Sequence, residues 1–354
     1  MSPRRPRLSG PSLGAARSAA YRLAVMPFAF QAARSARDLG LLAALREGIP
    51  RAALAPHLGI PDTSVGTLLD ACLAIELVAE DPSGVWSLTT IGAVWLTDPA
   101  ISIEAEFTHA VCWHGLADLP ESLRTGRPVG LNRFGPWSTI YEGLAHLPED
   151  VRRPWFAYDH GHSDSAFGAC IAELRQAAPQ RILDVGGNTG RFSVAVLSAL
   201  PTTRITILDH PGQVAEARRN LDAAGFAERS TTTGIDLLDH ERAFPAGQDA
   251  VWMSQFLDCF GPADIIALLR RARLALAPGG QVWVLECCPD RQSEPAAADS
   301  LRLASLYFTA LANGVSRFYR GTDFVAFAEA AGLRLASVQD GLGTAHSLFR
   351  FTPV

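Results

Sequence analysis

The chain has 354 residues and a mass of 37.9 kDa, with 48% hydrophobic and 19% charged residues; that is more chain than one core organises, and it excludes a long disordered protein. All 31 basic residues are arginine, which excludes a lysine Schiff base, a lysine general base and a phosphate-gripping P-loop lysine. The net charge of -5 is unevenly spread, because residues 1–37 carry seven arginines and no acid while the remainder holds all 36 acids against 24 arginines.

The Arg-rich start reads as a tail running into a first helix. Its apolar stretch, residues 23–33 between Arg22 and Arg34, is too short to span a bilayer, and no other stretch approaches about 18 uninterrupted apolar residues, so a cytoplasmic protein is expected. Leu39, Leu41, Leu42 and Leu45 predict one helix, and residues 51–58 a second that Gly59 closes. Pro61-Asp62-Thr63-Ser64 starts a third that carries Val65, Leu68, Leu69, Cys72 and Leu73. Two short strands, 77–80 and 85–88, flank the turn sequence Asp81-Pro82-Ser83-Gly84. Three helices and a hairpin describe a winged helix over residues 15–100. Between residues 38 and 100, however, two arginines (Arg46, Arg51) face eight acids. The third helix and its end hold Asp62, Asp70 and Glu76 and no base, so this surface would repel phosphate. The expected use is dimerisation, giving a homodimer with neither a nucleic-acid nor a membrane partner.

Residues 101–165 read as an aromatic-rich helical region, looped near 126–135, that lines a substrate site. From Arg181 the apolar runs 182–185, 205–208, 250–253 and 282–285 alternate with helical stretches such as 213–224 and 263–276. This predicts an α/β, Rossmann-like, doubly wound and mostly parallel sheet over residues 166–354. Six cysteines (Cys72, Cys112, Cys170, Cys259, Cys287, Cys288) without a C-x-x-C signal neither a zinc site nor a disulfide framework, and no metal is expected.

The segment Arg181-Ile-Leu-Asp-Val-Gly-Gly-Asn-Thr-Gly-Arg-Phe runs from a strand through a glycine-rich turn into a helix, where ligands of such sheets bind. Asp209, 25 residues after Asp184, ends the next apolar run and can accept both hydroxyls of a ribose. A dinucleotide G-x-G-x-x-G fails in both registers: from Gly186 it demands glycine at Asn188 and Arg191, and from Gly187 at Thr189 and Phe192. The observed Asp184-x-Gly186-x-Asn188-x-Gly190 resembles the D-x-G-x-G-x-G turn of class I S-adenosylmethionine-dependent methyltransferases, with Asn188 tolerating the positive φ of the missing glycine. Together with Gly234-Ile-Asp236 and Pro278-Gly279-Gly280, the chain from about residue 20 to 350 resembles the O-methyltransferase family of plant caffeate and bacterial hydroxyneurosporene enzymes.

That resemblance implies S-adenosylmethionine as cofactor. Gly186 and Gly190 would meet its methionine part, Asp209 its ribose and Asp236 its adenine. Asp184, Gly187, Asn188, His210, Leu237, Ser254 and Gln255 complete the expected cofactor set. The family's catalytic histidine falls on Asp258 here, and its first flanking carboxylate on Glu286. The second falls near Phe318 or Tyr319, where there is no acid. An ordinary aspartate of pKa about 3.9, depressed further by about 1–3 units beside a sulfonium, is a poor base for a phenol of pKa ~10. Asp258 therefore reads as base, as orienter of the acceptor hydroxyl, or as a strand-end cap. Tyr158-Asp159-His160-Gly161-His162-Ser163-Asp164 offers His160 and His162 as further catalytic candidates; two apart, they do not share a helix face for joint metal ligation. Phe107, Trp113, Phe256, Leu303, Tyr307, Phe308 and Asn313 are the expected acceptor pocket, and His346 is a weaker candidate. The implied reaction is methyl transfer to a hydroxyl of a small aromatic or polyene acceptor. Carbon methylation or cofactor-assisted hydroxylation, and a winged-helix ligand-sensing regulator, are the alternatives.

Overall fold

The computed structural model describes residues 11–354; Arg4, Arg5 and Arg7 of the basic tail lie outside the described residues. The chain divides into two compact units, the first ending at Ala105 and the second spanning Glu106–Val354.

In the first unit, Ser12 caps α1 (Leu13–Asp38) by accepting from the Ala15 N–H. Gly40, at φ 81°, separates it from a short α2 (Leu41–Ala44), so residues 39–45 are a break and one turn rather than one helix. Then come β1 (Ile49–Pro50), α3 (Arg51–Leu58), closed by left-handed Gly59 as expected, and α4 (Asp62–Ala74). Val65, Leu69 and Cys72 form the buried stripe of α4, whereas Leu73, one step past Cys72, falls off that stripe and is 46% exposed. The hairpin is β2 (Val78–Glu80) and β3 (Val85–Leu88), its turn held by the Asp81 carboxylate, which accepts from the Ser83 and Val85 N–H groups. β3 is central in the three-stranded sheet. α5 (Thr90–Thr97) and α6 (Pro99–Phe107) follow. Among the described residues no helix is long and apolar enough to cross a membrane.

The second unit begins with a π-helical turn (Thr108–Cys112), α7 (Leu119–Thr125) and α8 (Ile140–Gly143). The 29-residue α9 (Glu149–Ala177) then leads into the sheet. Its parallel part is β4 (Arg181–Val185), α10 (Arg191–Ala199), β5 (Arg204–Asp209), α11 (Pro211–Ala223), β6 (Ser230–Gly234), β7 (Gln248–Ser254), α12 (Pro262–Ala275) and β8 (Leu276–Cys287). α13 (Pro295–Tyr307), α14 (Gly321–Ala330) and the antiparallel pair β9 (Leu333–Leu342) and β10 (His346–Pro353) complete it. The order β6-β5-β4-β7-β8-β10-β9 reverses direction at β4, so the ligand crevice of this topology opens at the carboxyl ends of β4 and β7.

Period-two alternation divides the strand residues between two cores. Leu183, Val251, Met253, Val282 and Val284 pack toward α12 and α14, and Ile182, Ala250, Trp252, Trp283 and Leu285 pack toward α9, α10 and α11. A strand buried on both faces reads as a continuous apolar run, which is why these four were visible in the sequence.

Candidate active site

The glycine-rich turn after β4 is built by close approach. Gly186, Asn188 and Gly190 all have positive φ (75°, 50° and 76°), so Asn188 does occupy a position that favours glycine. A Cβ on Gly186 would lie 2.3 Å from the Phe256 ring, and one on Gly187 would lie 2.8 Å from Ile207 and 2.9 Å from the Asp184 carboxylate. Asp184 is buried and accepts from the Ser193 hydroxyl at 2.6 Å. Burial pushes it up to about 7, with Ser193 pulling it back. Asp184 and Gly187 thus shape the turn from behind rather than facing the crevice.

Asp209 ends β5 with one backbone donor on each oxygen, Asn188 N–H at 2.8 Å and His210 N–H at 2.7 Å. Burial raises its pKa and those two N–H groups lower it. Each oxygen keeps lone-pair capacity for a further donor. His210 takes part through its backbone; its side chain is exposed. Asp236 is exposed beyond β6 and accepts from the Leu238 N–H. Leu237 corrects an expectation: its side chain is 3% exposed and belongs to the core, while its carbonyl accepts from Arg271 at 2.6 Å. At the end of β7, Ser254 is followed by Gln255 at φ 45°. The side-chain oxygens of Asn188, Gln255 and Glu286 (its Oε2) are buried without a hydrogen-bond partner. Unpaired buried acceptors beside a glycine cradle and a ribose-type carboxylate fit S-adenosylmethionine, whose hydroxyls and ammonium are donors.

Glu286, at the end of β8, is fully buried, and its Oε1 accepts from the Phe256 and Leu257 N–H groups at 3.0 and 2.7 Å. It thereby holds the 3₁₀ turn Leu257–Cys259, which carries Asp258. Asp258 is 5% exposed and accepts from the Cys259 thiol at 3.5 Å. Burial pushes its carboxyl up to about 7, with the charge of Asp159 adding to the rise and the Cys259 thiol opposing it. Sequence reasoning expected an ordinary or depressed aspartate; desolvation wins because no arginine side chain bonds to it among the described residues. Glu286 is raised too, by burial and then by the charge of Asp258.

α9 contributes a residue that sequence reasoning passed over. Trp155, Asp159, His162, Ala166 and Cys170 recur at helical spacing, and the apolar members of that stripe are buried. Asp159 therefore lies on the inward face, keeps 27% of its side chain accessible and has His160 Nε2 at 3.9 Å. Burial pushes it up to about 6, with His162 opposing. His160 sits beside Phe156, its pKa lowered by burial, and His162 lies against Tyr158. Among the described residues no trio of His, Cys, Asp or Glu is arranged to hold a metal.

An aromatic wall stands opposite. Phe107 stacks on Tyr158 at 3.9 Å and meets Tyr307 edge-on at 5.0 Å, and Trp155 Nε1 donates to the Tyr307 hydroxyl at 2.7 Å. Tyr141, missed in the sequence, packs against the same cluster, and burial raises its pKa. Phe308 is buried in the same cluster, Trp113 is half-buried outside it, and Phe256 is turned against Gly186. Two pocket expectations fail. Leu303 is 68% exposed, because Leu301 and Tyr307 define the inward face of α13. Asn313 has its amide committed elsewhere: Nδ2 donates to the Cys259 carbonyl at 2.6 Å, and Oδ1 accepts from Val315, Ser316 N–H and the Ser316 hydroxyl. It latches the Asp258 turn instead of lining a pocket. Tyr319, where a second family acid would fall, donates to the Phe260 carbonyl.

Residues 166–334 match the O-methyltransferase domain family. The chain is 28% identical over 289 residues to an L-tyrosine C(3)-methyltransferase of Streptomyces lavendulae, covering 80% of this chain and 77% of that one. It is 29% identical over 306 residues to the mitomycin biosynthesis 6-O-methyltransferase of the same organism, covering 84% and 83%. The apo crystal structure of the S-adenosylmethionine-dependent methyltransferase SibL matches with a TM-score of 0.75 at 29% identity, covering 95% of this chain and 99% of that one. These matches are to enzymes, which removes the regulator alternative. With its glycine turn, its carboxylate at the end of β5 and its reversal of strand order at β4, the segment 166–334 carries an S-adenosylmethionine-dependent O-methyltransferase domain of the matched family.

Proposed function

We propose that this protein methylates the hydroxyl oxygen of a small aromatic secondary metabolite, with Asp258 receiving the hydroxyl proton. The placement of Asp258 carries this reading: it is a buried acid at the carboxyl end of β7, two residues from the Phe256 ring that lies against Gly186. Bound S-adenosylmethionine supplies an electrophilic methyl group on a sulfonium. A carboxyl at about 7 accepts a proton far better than an ordinary aspartate. Glu286 positions the turn, and Phe107, Tyr158 and Tyr307 hold the ring and exclude water. Asp209 takes the ribose, Gly186 and Gly190 allow the close approach of the methionine part, and Asp236 serves the adenine.

Transfer to a ring carbon is the second reading, favoured by the similarity to an L-tyrosine C(3)-methyltransferase. A carboxylate that draws the phenolic proton also charges the adjacent ring carbon, so one base serves either product, and the pose of the ring decides. Incubation with S-adenosylmethionine ¹³C-labelled at the methyl and a panel of hydroxylated aromatics separates the two by the carbon resonance of the product. A methoxy signal is expected. An aryl-methyl signal replaces the oxygen reading with the carbon one, and no transfer to any member of the panel overturns both.

Residues 15–100 are read as a dimerisation domain in the same proposal. α1 leaves Tyr21, Leu23, Met26 and Phe28 exposed, Phe28 at 77%, and an apolar face of this kind suits a partner surface, here a second copy. Light scattering is expected to give about twice the 37.9 kDa chain mass; a monomer at micromolar concentration would reject the dimer.

A further inference from the structure

Asp258 sits in the middle of a turn that is tied down at both ends. On the entering side, Glu286 Oε1 accepts from the Phe256 and Leu257 N–H groups. On the leaving side, two consecutive carbonyls are held by side chains of one later segment. Asn313 Nδ2 donates to the Cys259 carbonyl at 2.6 Å, and the Tyr319 hydroxyl donates to the Phe260 carbonyl at 2.8 Å. Among the described residues the Asp258 carboxylate takes one side-chain hydrogen bond, from the weak thiol donor of Cys259 at 3.5 Å. Its position therefore follows the backbone that carries it.

The segment on the leaving side is itself fixed. Asn313 Oδ1 accepts from the Val315 and Ser316 N–H groups at 3.0 and 3.1 Å and from the Ser316 hydroxyl at 3.0 Å. Those three donors set the orientation of the amide and leave Nδ2 for the turn. Gly314 has φ 84°, and a Cβ there would lie 2.4 Å from the Gly126 carbonyl oxygen, so the chain after α7 backs the segment closely. Tyr319 is 2% exposed, and its ring meets Phe324 and Phe327 edge-on.

The same segment is continuous with the aromatic wall. The Asn313 and Gly314 N–H groups both donate to the Phe308 carbonyl, at 3.1 and 2.9 Å, and close the π-helical turn Phe308–Ala312. Phe308 packs against Tyr307 in the buried cluster of the wall. One turn of chain thus carries part of the wall at its start and the hold on the Asp258 turn at its end.

We propose that Asn313 and Tyr319 are positioning residues that set the Asp258 carboxylate against the acceptor hydroxyl, while the same π-helical turn seats the acceptor ring. The assignment rests on the reading of Asp258 as proton acceptor above. Misplacing a reacting group by about 1 Å costs on the order of 10²-fold in rate. The cofactor side is built separately, on the turn after β4 and on Asp209 at the end of β5.

Steady-state kinetics test this with S-adenosylmethionine and the hydroxylated aromatic of the panel that the wild type methylates fastest. Asn313→Ala should lower kcat by about 10²-fold and leave KM for S-adenosylmethionine unchanged. Tyr319→Phe keeps the ring in place and should lower kcat by about fivefold, the worth of one hydrogen bond between uncharged groups. In the Asp258→Asn background Asn313→Ala should cost little more, because a residue that acts through Asp258 has nothing left to position. Calorimetry with S-adenosylhomocysteine, unchanged across the variants, shows the fold intact. Wild-type kcat in both single variants, a loss confined to KM for S-adenosylmethionine, or an equal loss from Asn313→Ala with and without Asp258 would overturn the proposal. Should Asn313→Ala fail to bind S-adenosylhomocysteine, Tyr319→Phe alone and combined with Asp258→Asn decides by the same criteria. A wild-type rate in Asp258→Asn, or a wild type that methylates nothing in the panel, is a failure of the underlying reading and removes this proposal with it.

Discussion

Asp209→Ala is expected to weaken S-adenosylmethionine binding by about 10²–10⁴-fold, because hydrogen bonds from two hydroxyls to one carboxylate contribute roughly 1.5–3 kcal/mol each when the acceptor is charged. The loss has a second source in this chain. Asp209 also accepts from the Asn188 N–H at 2.8 Å and so holds the glycine-rich turn against the end of β5. Asp209→Asn keeps an acceptor oxygen for that contact while removing the charge, so it should bind more tightly than Asp209→Ala and less tightly than the wild type. Calorimetric titration of the three proteins checks the order; wild-type affinity in Asp209→Ala would show that the ribose is held elsewhere.

Asp258→Asn should lower kcat by about 10²–10⁴-fold, the usual worth of a positioned proton acceptor. The wild type carries a signature that a merely structural residue would lack. Because burial lifts the carboxyl to about 7, Asp258 is protonated and inactive below that pH, so kcat/KM should climb through about 7 and level off above it. A bound sulfonium stabilises the carboxylate, so the limb in kcat, which reports the loaded enzyme, should lie lower than the limb in kcat/KM. The same raised value has a sign for stability. A carboxyl raised on folding leaves stability intact below the ordinary aspartate range and removes it as pH rises through the folded value. The wild type should therefore lose stability between about pH 4 and 7. Asp258→Asn, having no charge to bury, should melt above the wild type at pH 8 while being nearly inactive. Thermal melts and initial rates across pH 5–9 measure both. A flat kcat/KM profile through neutral pH, or a variant that retains wild-type rate, would remove Asp258 from proton transfer.

Much of the sheet and of the turn after β4 was legible in the sequence because both depend on short-range rules. The runs ending in Val185, Leu208, Met253 and Leu285 are buried on both faces of the sheet and so read as continuous apolar segments. The turn is written in residues that accept positive φ, and the place of Asp209 at the end of β5 follows from strand spacing. The acceptor side was legible only as a region. Resemblance located α13 but not its rotation, so Leu303 was expected to line a pocket and instead faces outward. Asn313 was expected to meet substrate, yet its carbonyl partner, Cys259, lies 54 residues away in the chain. Leu237, adjacent to a cofactor candidate in sequence, points into the core. Asp159 stood inside a segment recognised for its histidines, and only the packing of α9 showed that the aspartate shares the inward stripe with His162.

By itself the sequence determined the parallel sheet and the glycine turn, since each is set by local conformational preference or by a periodicity of two or 3.6 residues. Only the tertiary structure decided the chemistry of the acids. A carboxyl group's proton affinity depends on which groups surround it after folding, and Asp159, Asp258 and Glu286 come from a helix and two strand ends far apart in the chain. The burial of Asp258, with the charge of Asp159 bearing on it and no arginine paired to it among the described residues, turns an aspartate that composition alone marks as a weak base into one that titrates near neutrality.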